Sequence, residues 1–189
     1  MKPLILASQS PRRRELIKLL DRPFEVVSIE VDEIVRDFEN PEQVVCALAF
    51  EKAFAAVSRD NAFGCYIGSD TVVAIEGKIF GKPLNREDAR SMLLTLSGNT
   101  HQVYTGIALI DLEKNIKVVK AVSTDVVFRA LTDDLIEWYL NTKEYDGKAG
   151  AYAIQGFGSR LVESIHGDFF NVVGLPIATI DQMLTELAL

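Results

Sequence analysis

The chain has 189 residues, 48% of them hydrophobic and 25% charged, with a net charge of −7. A chain of this size buries roughly 70% of its unfolded surface, so it needs no disulfide or metal staple. No apolar run approaches the ~20 residues of a membrane span, and the acidic balance argues against a nucleic-acid or membrane-surface protein, which carries a basic face. In chain order, the apolar run Leu4–Ala7 reads as a short buried strand. Ser10 followed by Pro11 predicts an N-cap and a first helical residue, with the helix running to about Leu20. Phe24–Ile29 reads as a second strand. Pro41–Arg59 reads as a long helix, apolar nearly all round and hence deeply buried. Cys65–Ile75 is a further buried strand, turning at Glu76-Gly77 into a short return that ends at Gly81-Lys82-Pro83. Asn85 caps a helix over Arg86–Leu96, which Gly98 closes. Gln102–Asp111 and Lys117–Arg129 are β-branched stretches joined through Glu113-Lys114-Asn115, an antiparallel pair. Thr132 caps a helix to about Leu140, a Gly-rich stretch from Gly147 to Gly158 leads into a strand at Leu161–Ile165, and Pro176–Leu187 is the closing helix. Strands and helices alternate early and a hairpin is inserted in the middle. The pattern predicts an α/β fold with a mixed sheet, flanking helices and two lobes around a central cleft. With no internal repeat, linker or low-complexity segment, residues 1–189 read as one domain.

The N-terminal MKPLILASQSPRRR has too short an apolar part for a secretory signal, and its arginines follow that part. Cys46 and Cys65 form no CxxC pair and read as reduced thiols, which predicts a cytoplasmic location. Against the acidic background stand the cations Arg12, Arg13 and Arg14, with Lys52 and Lys82 elsewhere. Such local clusters suit a small anionic ligand better than a polymer.

Four features carry chemistry. Arg12, Arg13 and Arg14 occupy the first turn of a helix, where cations are disfavoured by a few tenths of a kcal/mol each. An anion held by helix N–H groups, by Ser8 or Ser10 and by guanidinium forks would reverse that sign; the plain alternative is arginines reaching into solvent. Lys52 lies on an otherwise apolar stripe with Val45, Leu48, Ala49 and Ala56, where a lysine either snorkels outward or is held against an anion. Asp70 interrupts a strand that otherwise looks fully buried, and a buried carboxylate must be paired, metal-bound or protonated. Glu33 is a second candidate acid. The run from Lys148 to Gly156 is small and nearly uncharged, so its backbone can approach a ligand, with Gln155 as an amide reader. No Walker A, GxGxxG, HExxH or GxSxG motif is present, and His101 and His166 have no metal-ligand spacing. Both histidines read as structural or surface groups.

Together these runs resemble the Maf family of nucleoside triphosphate pyrophosphatases. The resemblance rests on Leu6-Ala7-Ser8-Gln9-Ser10-Pro11-Arg12-Arg13, Glu51-Lys52-Ala53, Gly68-Ser69-Asp70-Thr71-Val72-Val73 and Gly81-Lys82-Pro83. It continues with Leu96-Ser97-Gly98 and His101, Lys148-Ala149-Gly150-Ala151-Tyr152, Ile154-Gln155-Gly156 and Val173-Gly174-Leu175-Pro176. These span almost the whole chain in order. The resemblance implies an inosine-triphosphate-pyrophosphatase-like architecture and cleavage of a nucleoside triphosphate to the monophosphate and pyrophosphate. It implies that Ser8, Ser10, Arg13, Lys52 and Lys82 bind phosphate, that Glu33 serves a divalent metal, Mg2+ or Mn2+, and that Asp70 is the catalytic base or a ligand of that metal, two roles the sequence does not separate. Arg12, Thr71 and Gln155 match the dTTP/UTP branch of the family, and the activity expected is cleansing of nucleotide pools, modified nucleotides included. The alternatives are a pyrophosphatase for 7-methyl-GTP or other modified purines, or a nucleotide-binding regulator, since Maf proteins are also linked to septum formation. The partner expected is a small nucleotide substrate, with a homodimer as a further option, and with no nucleic acid and no membrane. Ala153 departs from the family, which usually has glycine there; its methyl group is expected to crowd the ligand-facing turn.

Overall fold

The computed structural model describes residues 2–31, 40–60 and 63–189. The strands are β1 (Leu4–Ala7), β2 (Phe24–Val27), β3 (Cys65–Ile75), β4 (Lys78–Phe80), β5 (Thr100–Asp111), β6 (Ile116–Phe128) and β7 (Val162–His166). The helices are α1 (Pro11–Leu16), α2 (Pro41–Asp60), α3 (Arg86–Leu96), α4 (Asp133–Asn141), α5 (Phe169–Val173) and α6 (Ile177–Glu186). The seven strands form one mixed sheet in the order β2-β1-β3-β5-β6-β7, with β4 paired to β3 off this path. The expected α/β class, mixed sheet and flanking helices are therefore present. The residues divide into two compact units: Met1–Asp70, Thr105–Val122 and Gly174–Leu189 form the first, and Thr71–Tyr104 and Ser123–Val173 the second.

In the first unit β1 lies between β2 and β3, parallel to both, and is buried along its whole length. Its unbroken Leu-Ile-Leu-Ala run suits a strand covered on both faces. Helix α2 packs on this sheet through the small residues Ala49, Ala53 and Ala56, all fully buried beside Ile5, Ala7 and Tyr66. Its outer face is not buried: Phe54 is 48% exposed and stacks on Phe50. The apolar composition of α2 thus reflects a close-packed inner stripe plus exposed aromatics. The first helix is also shorter than its sequence suggests, ending at Leu16 and continuing as a 3-10 turn over Ile17–Leu20 that closes on left-handed Asp21. Burial pushes the Cys65 thiol up to about 12 and also raises that of Cys46, which disfavours the reactive thiolate at both.

In the second unit β3 turns through Glu76 and Gly77, both at positive φ, into antiparallel β4. That backbone matches a two-residue hairpin turn. Asn85 accepts the Asp88 N–H at 2.8 Å to start α3, and Thr132 accepts the Leu135 N–H at 3.2 Å to start α4. Arg86 and Arg90 on α3 reach Glu137 on α4 at 2.7 and 3.0 Å. The core joins Ala89, Met92, Leu93 and Leu96 of α3 to Ile136, Tyr139 and Leu140 of α4, with Val73, Val103 and Phe128 from the sheet.

Candidate active site

The candidate site in the first unit starts from a backbone contact. A Cβ at Gly68 would lie 2.0 Å from the Ala49 carbonyl oxygen and 2.7 Å from the Ala53 nitrogen. One at Gly106 on β5 would lie 2.1 Å from the Val45 carbonyl oxygen. Two strand glycines therefore let α2 lie directly against the sheet. Lys52, between Ala49 and Ala53 in sequence, is carried to the strand, where its Nζ donates to Asp70 Oδ1. Both side chains are about one-tenth exposed. Of the three outcomes the sequence left for this buried carboxylate (paired, metal-bound or protonated), it is paired here, with the odd lysine of α2.

β1 ends at Ala7, opposite Gly68. The chain then folds back on itself twice: Ser8 Oγ accepts the Ser10 N–H at 3.1 Å, and Ser10 Oγ accepts the Arg13 N–H at 3.4 Å. Ser8 is buried. Arg13 Nε donates to the Gly174 carbonyl at 2.7 Å, and Ser69 Oγ donates to the same oxygen at 3.2 Å. One backbone carbonyl thus orients the Arg13 guanidinium and the strand immediately before Asp70. The dipole argument for an anion at α1 loses force, because in a six-residue helix Arg13 and Arg14 belong to the last turn as much as to the first. Arg13 is positioned instead by tertiary contact. Arg12 is half-buried on the same helix.

Thr71, Lys82 and Gln155 belong to the second unit. Thr71 follows Asp70 on β3 and is half-buried, while Lys82 is exposed just after β4. The Gly150 N–H donates to the Gly81 carbonyl at 3.1 Å, tying the Gly81-Lys82-Pro83 run to the 3-10 turn at Ala149–Ala151. Gln155 is exposed and immediately precedes a 3-10 turn over Gly156–Arg160. Ala153 is 7% exposed, its N–H held by Tyr139 Oη at 3.1 Å. Glu33 lies outside the described residues. Among the described residues, no three His, Cys, Asp or Glu side chains come together to hold a metal.

The histidines separate as a structural and a surface group. His101 is fully buried, its Nε2 2.8 Å from Tyr152 Oη, and its ring packs edge-on to Phe128 and Tyr152. Burial, only partly opposed by Asp125, lowers its pKa to about 4, so the ring is neutral at pH 7. Burial likewise raises the Tyr152 phenol, which stays protonated. His166 is exposed at the end of β7. The shared Gly174 carbonyl and the His101–Tyr152 pair were not singled out from sequence: a carbonyl acceptor has no residue signature, and the pair spans 51 positions.

A family model described as Maf-like protein matches residues 3–187. The chain belongs to the Maf family. A dTTP/UTP pyrophosphatase of Clostridioides difficile (strain 630) is 47% identical over 183 residues, covering 97% of this chain and 94% of that protein. A dTTP/UTP pyrophosphatase of Bacillus cereus (strain G9842) is 46% identical over 186 residues, covering 98% and 96%. Among solved structures, the Staphylococcus aureus Ham1 protein aligns over 67% of this Maf chain and 72% of its own, with 18% identity and a TM-score of 0.48. Among the described residues, no helix of this Maf protein is long and apolar enough to cross a membrane.

Proposed function

We propose that this Maf protein is a nucleoside triphosphate pyrophosphatase that hydrolyses dTTP and UTP to the monophosphate and pyrophosphate. The observation that carries the reading is the Lys52–Asp70 pair at the point where α2 touches β3. The names of the relatives supply the substrate class.

Cleavage between the α and β phosphates needs a water aligned on the α phosphorus and a pyrophosphate whose departing charge is neutralised. Lys52 binds Asp70 Oδ1 and so fixes the carboxylate plane; Oδ2 is the atom assigned to take the proton of the water. An ammonium has three donors, and one carboxylate bond does not exhaust Lys52, which is assigned a phosphate contact as well. Ser8 and Ser10 each accept a backbone N–H through their hydroxyl oxygens. Each can still donate its own O–H to a phosphate oxygen. Arg13, held by the Gly174 carbonyl, and Lys82 supply positive charge to the leaving group.

A divalent cation fits this donor set. Magnesium keeps several waters and is bound by one or two carboxylates together with substrate phosphates, not by an all-protein cage. Asp70 offers a hard oxygen donor, and with Glu33 it would hold the ion as the alternative to its role as base. When bound, Mg2+ or Mn2+ neutralises charge on the phosphates.

For the base, Gln155 carries a donor and an acceptor on one amide. It matches the C4 carbonyl and N3–H of uracil and thymine and opposes the amine and bare N3 of cytosine. Arg12 and Thr71 are assigned as additional donors or as groups orienting that amide. The test is incubation with dTTP and Mg2+ while pyrophosphate and orthophosphate are followed separately. Pyrophosphate should appear with dTMP in equal amounts, EDTA should stop the reaction, and added Mg2+ or Mn2+ should restore it. Direct release of orthophosphate would place the cleavage at the wrong bond.

A further inference from the structure

The turn that carries Gln155 is held from one direction by a single stretch of chain. α4 and the residues that follow it bracket the loop on both sides of Gln155. Two residues before it, the Ala153 N–H donates to Tyr139 Oη at 3.1 Å. Beyond it, the Phe157 N–H donates to Glu144 Oε1 at 3.1 Å and the Gly158 N–H to Glu144 Oε2 at 2.7 Å. One carboxylate therefore caps the first turn of the 3-10 segment with both of its oxygens, a charge-assisted arrangement that water cannot reproduce as a fixed geometry. The segment has no side-chain cap from Gln155 itself, so the residue assigned to the base is not spent on its own backbone.

Two further contacts support the same clamp. Gly156 has φ +67, and a Cβ there would lie 2.1 Å from Glu144 Oε1, so the carboxylate sits directly against the glycine backbone. Beside it the Phe157 ring packs edge-on to Trp138 of α4 at 5.7 Å, and the Arg160 guanidinium lies over the Trp138 ring at 4.1 Å. An exposed Gln on an otherwise free loop would sample several rotamers and backbone states. Recognition by one amide needs its backbone fixed within a fraction of an ångström.

We infer that Glu144 is a positioning residue for base selection: its carboxylate fixes the backbone that carries Gln155 and thereby sets the discrimination between uracil or thymine and cytosine. The inference rests on the proposed role of Gln155. It assigns to Glu144 no contact with the nucleotide and no part in the phosphate chemistry.

The experiment measures kcat/KM for UTP and CTP with the native chain, Glu144→Ala, Glu144→Gln, Gln155→Ala and Glu144→Gln/Gln155→Ala, below the melting temperature of each. Glutamine keeps the volume of Glu144 but replaces one acceptor by an N–H donor facing a backbone N–H, so it folds more readily than alanine yet breaks the bidentate cap. Both Glu144 variants are expected to lower the UTP/CTP ratio at least about 10-fold, the scale for one mispaired buried hydrogen bond. The double variant is expected to have the ratio of Gln155→Ala alone, because Glu144 acts through Gln155. A purely structural Glu144 would lower stability and slow both substrates equally; an unchanged ratio in folded Glu144→Gln overturns the inference. Additive loss in the double variant also overturns it. A native ratio in Gln155→Ala refutes the base-reading assignment itself, a result distinct from failure of the Glu144 variants alone.

Discussion

Gly68→Ala probes the contact from which the candidate site is built. The added methyl would lie 2.0 Å from the Ala49 carbonyl oxygen, whereas real side-chain carbons do not come within about 3 Å of such an atom. Because the obstacles are the Ala49 and Ala53 backbone atoms, no rotamer change relieves the clash, and α2 must retreat by about 1 Å. Overpacking of this kind costs about 1–3 kcal/mol, and at this chain length each kcal/mol lowers Tm by about 2–4 °C. The larger effect falls on chemistry. Lys52 sits between the two alanines in sequence and is itself the partner of Asp70, so the retreat separates a pair that works only at hydrogen-bond distance. A displacement of about 1 Å at such a site lowers turnover by up to ~100-fold. Gly81→Ala is the control for stability, since a methyl there meets nothing within 4 Å. Calorimetry and steady-state dTTP hydrolysis measure both quantities. Native Tm and turnover within threefold of native in Gly68→Ala would refute the claim that the close helix–strand approach builds the site.

Asp70→Asn preserves the side-chain shape and removes the charge; the protein should fold and lose at least ~100-fold in turnover, as followed by dTMP release. Arg13→Ala and Lys82→Ala should lower kcat/KM on every triphosphate alike, and a changed order of base preference in either variant would contradict a phosphate role. The third effect concerns pH. The pKa of His101 is about 4 when folded against 6.5 in the free side chain. The unfolded chain therefore binds the proton first, and stability present above pH 6.5 drains away as the pH falls toward 4. The loss through this group is at most about 3 kcal/mol, to be seen in urea unfolding at pH 7 and pH 4.5, and it should shrink in His101→Gln.

How far the sequence could be read depends on how local each signal is. The unbroken apolar run of β1, the apolar stretches of β3 on either side of Asp70 and the Asn85 cap of α3 gave strands and a helix whose bounds match the structure. The helical run from Pro11 ends at Leu20 as expected, where Asp21 turns left-handed, but it tightens from α to 3-10 after Leu16, a change that no apolar period marks. α5 was missed: five residues are too few for a helical period, and its buried Asn171 is held by tertiary bonds to the Val103 carbonyl and Thr124 Oγ1 at 2.9 and 3.0 Å. Lys52 and Asp70 were each conspicuous alone, as a cation on an apolar stripe and an acid in a buried strand. Their pairing depends on Gly68 and Gly106, whose effect appears only when helix and strand are brought together. Glu144 gave no signal, because a glutamate in a polar turn looks solvated until its oxygens are seen on the Phe157 and Gly158 N–H groups.

Substrate choice is decided by kcat/KM on one panel: dTTP, UTP, CTP, GTP and 7-methyl-GTP, each with Mg2+ and with monophosphate as the measured product. dTTP and UTP should run well ahead of CTP and both purine nucleotides, by at least about 10-fold, because each mispaired buried group at the base costs about 1–3 kcal/mol. Highest efficiency on CTP or 7-methyl-GTP, or binding of all five without turnover, would contradict the proposed function.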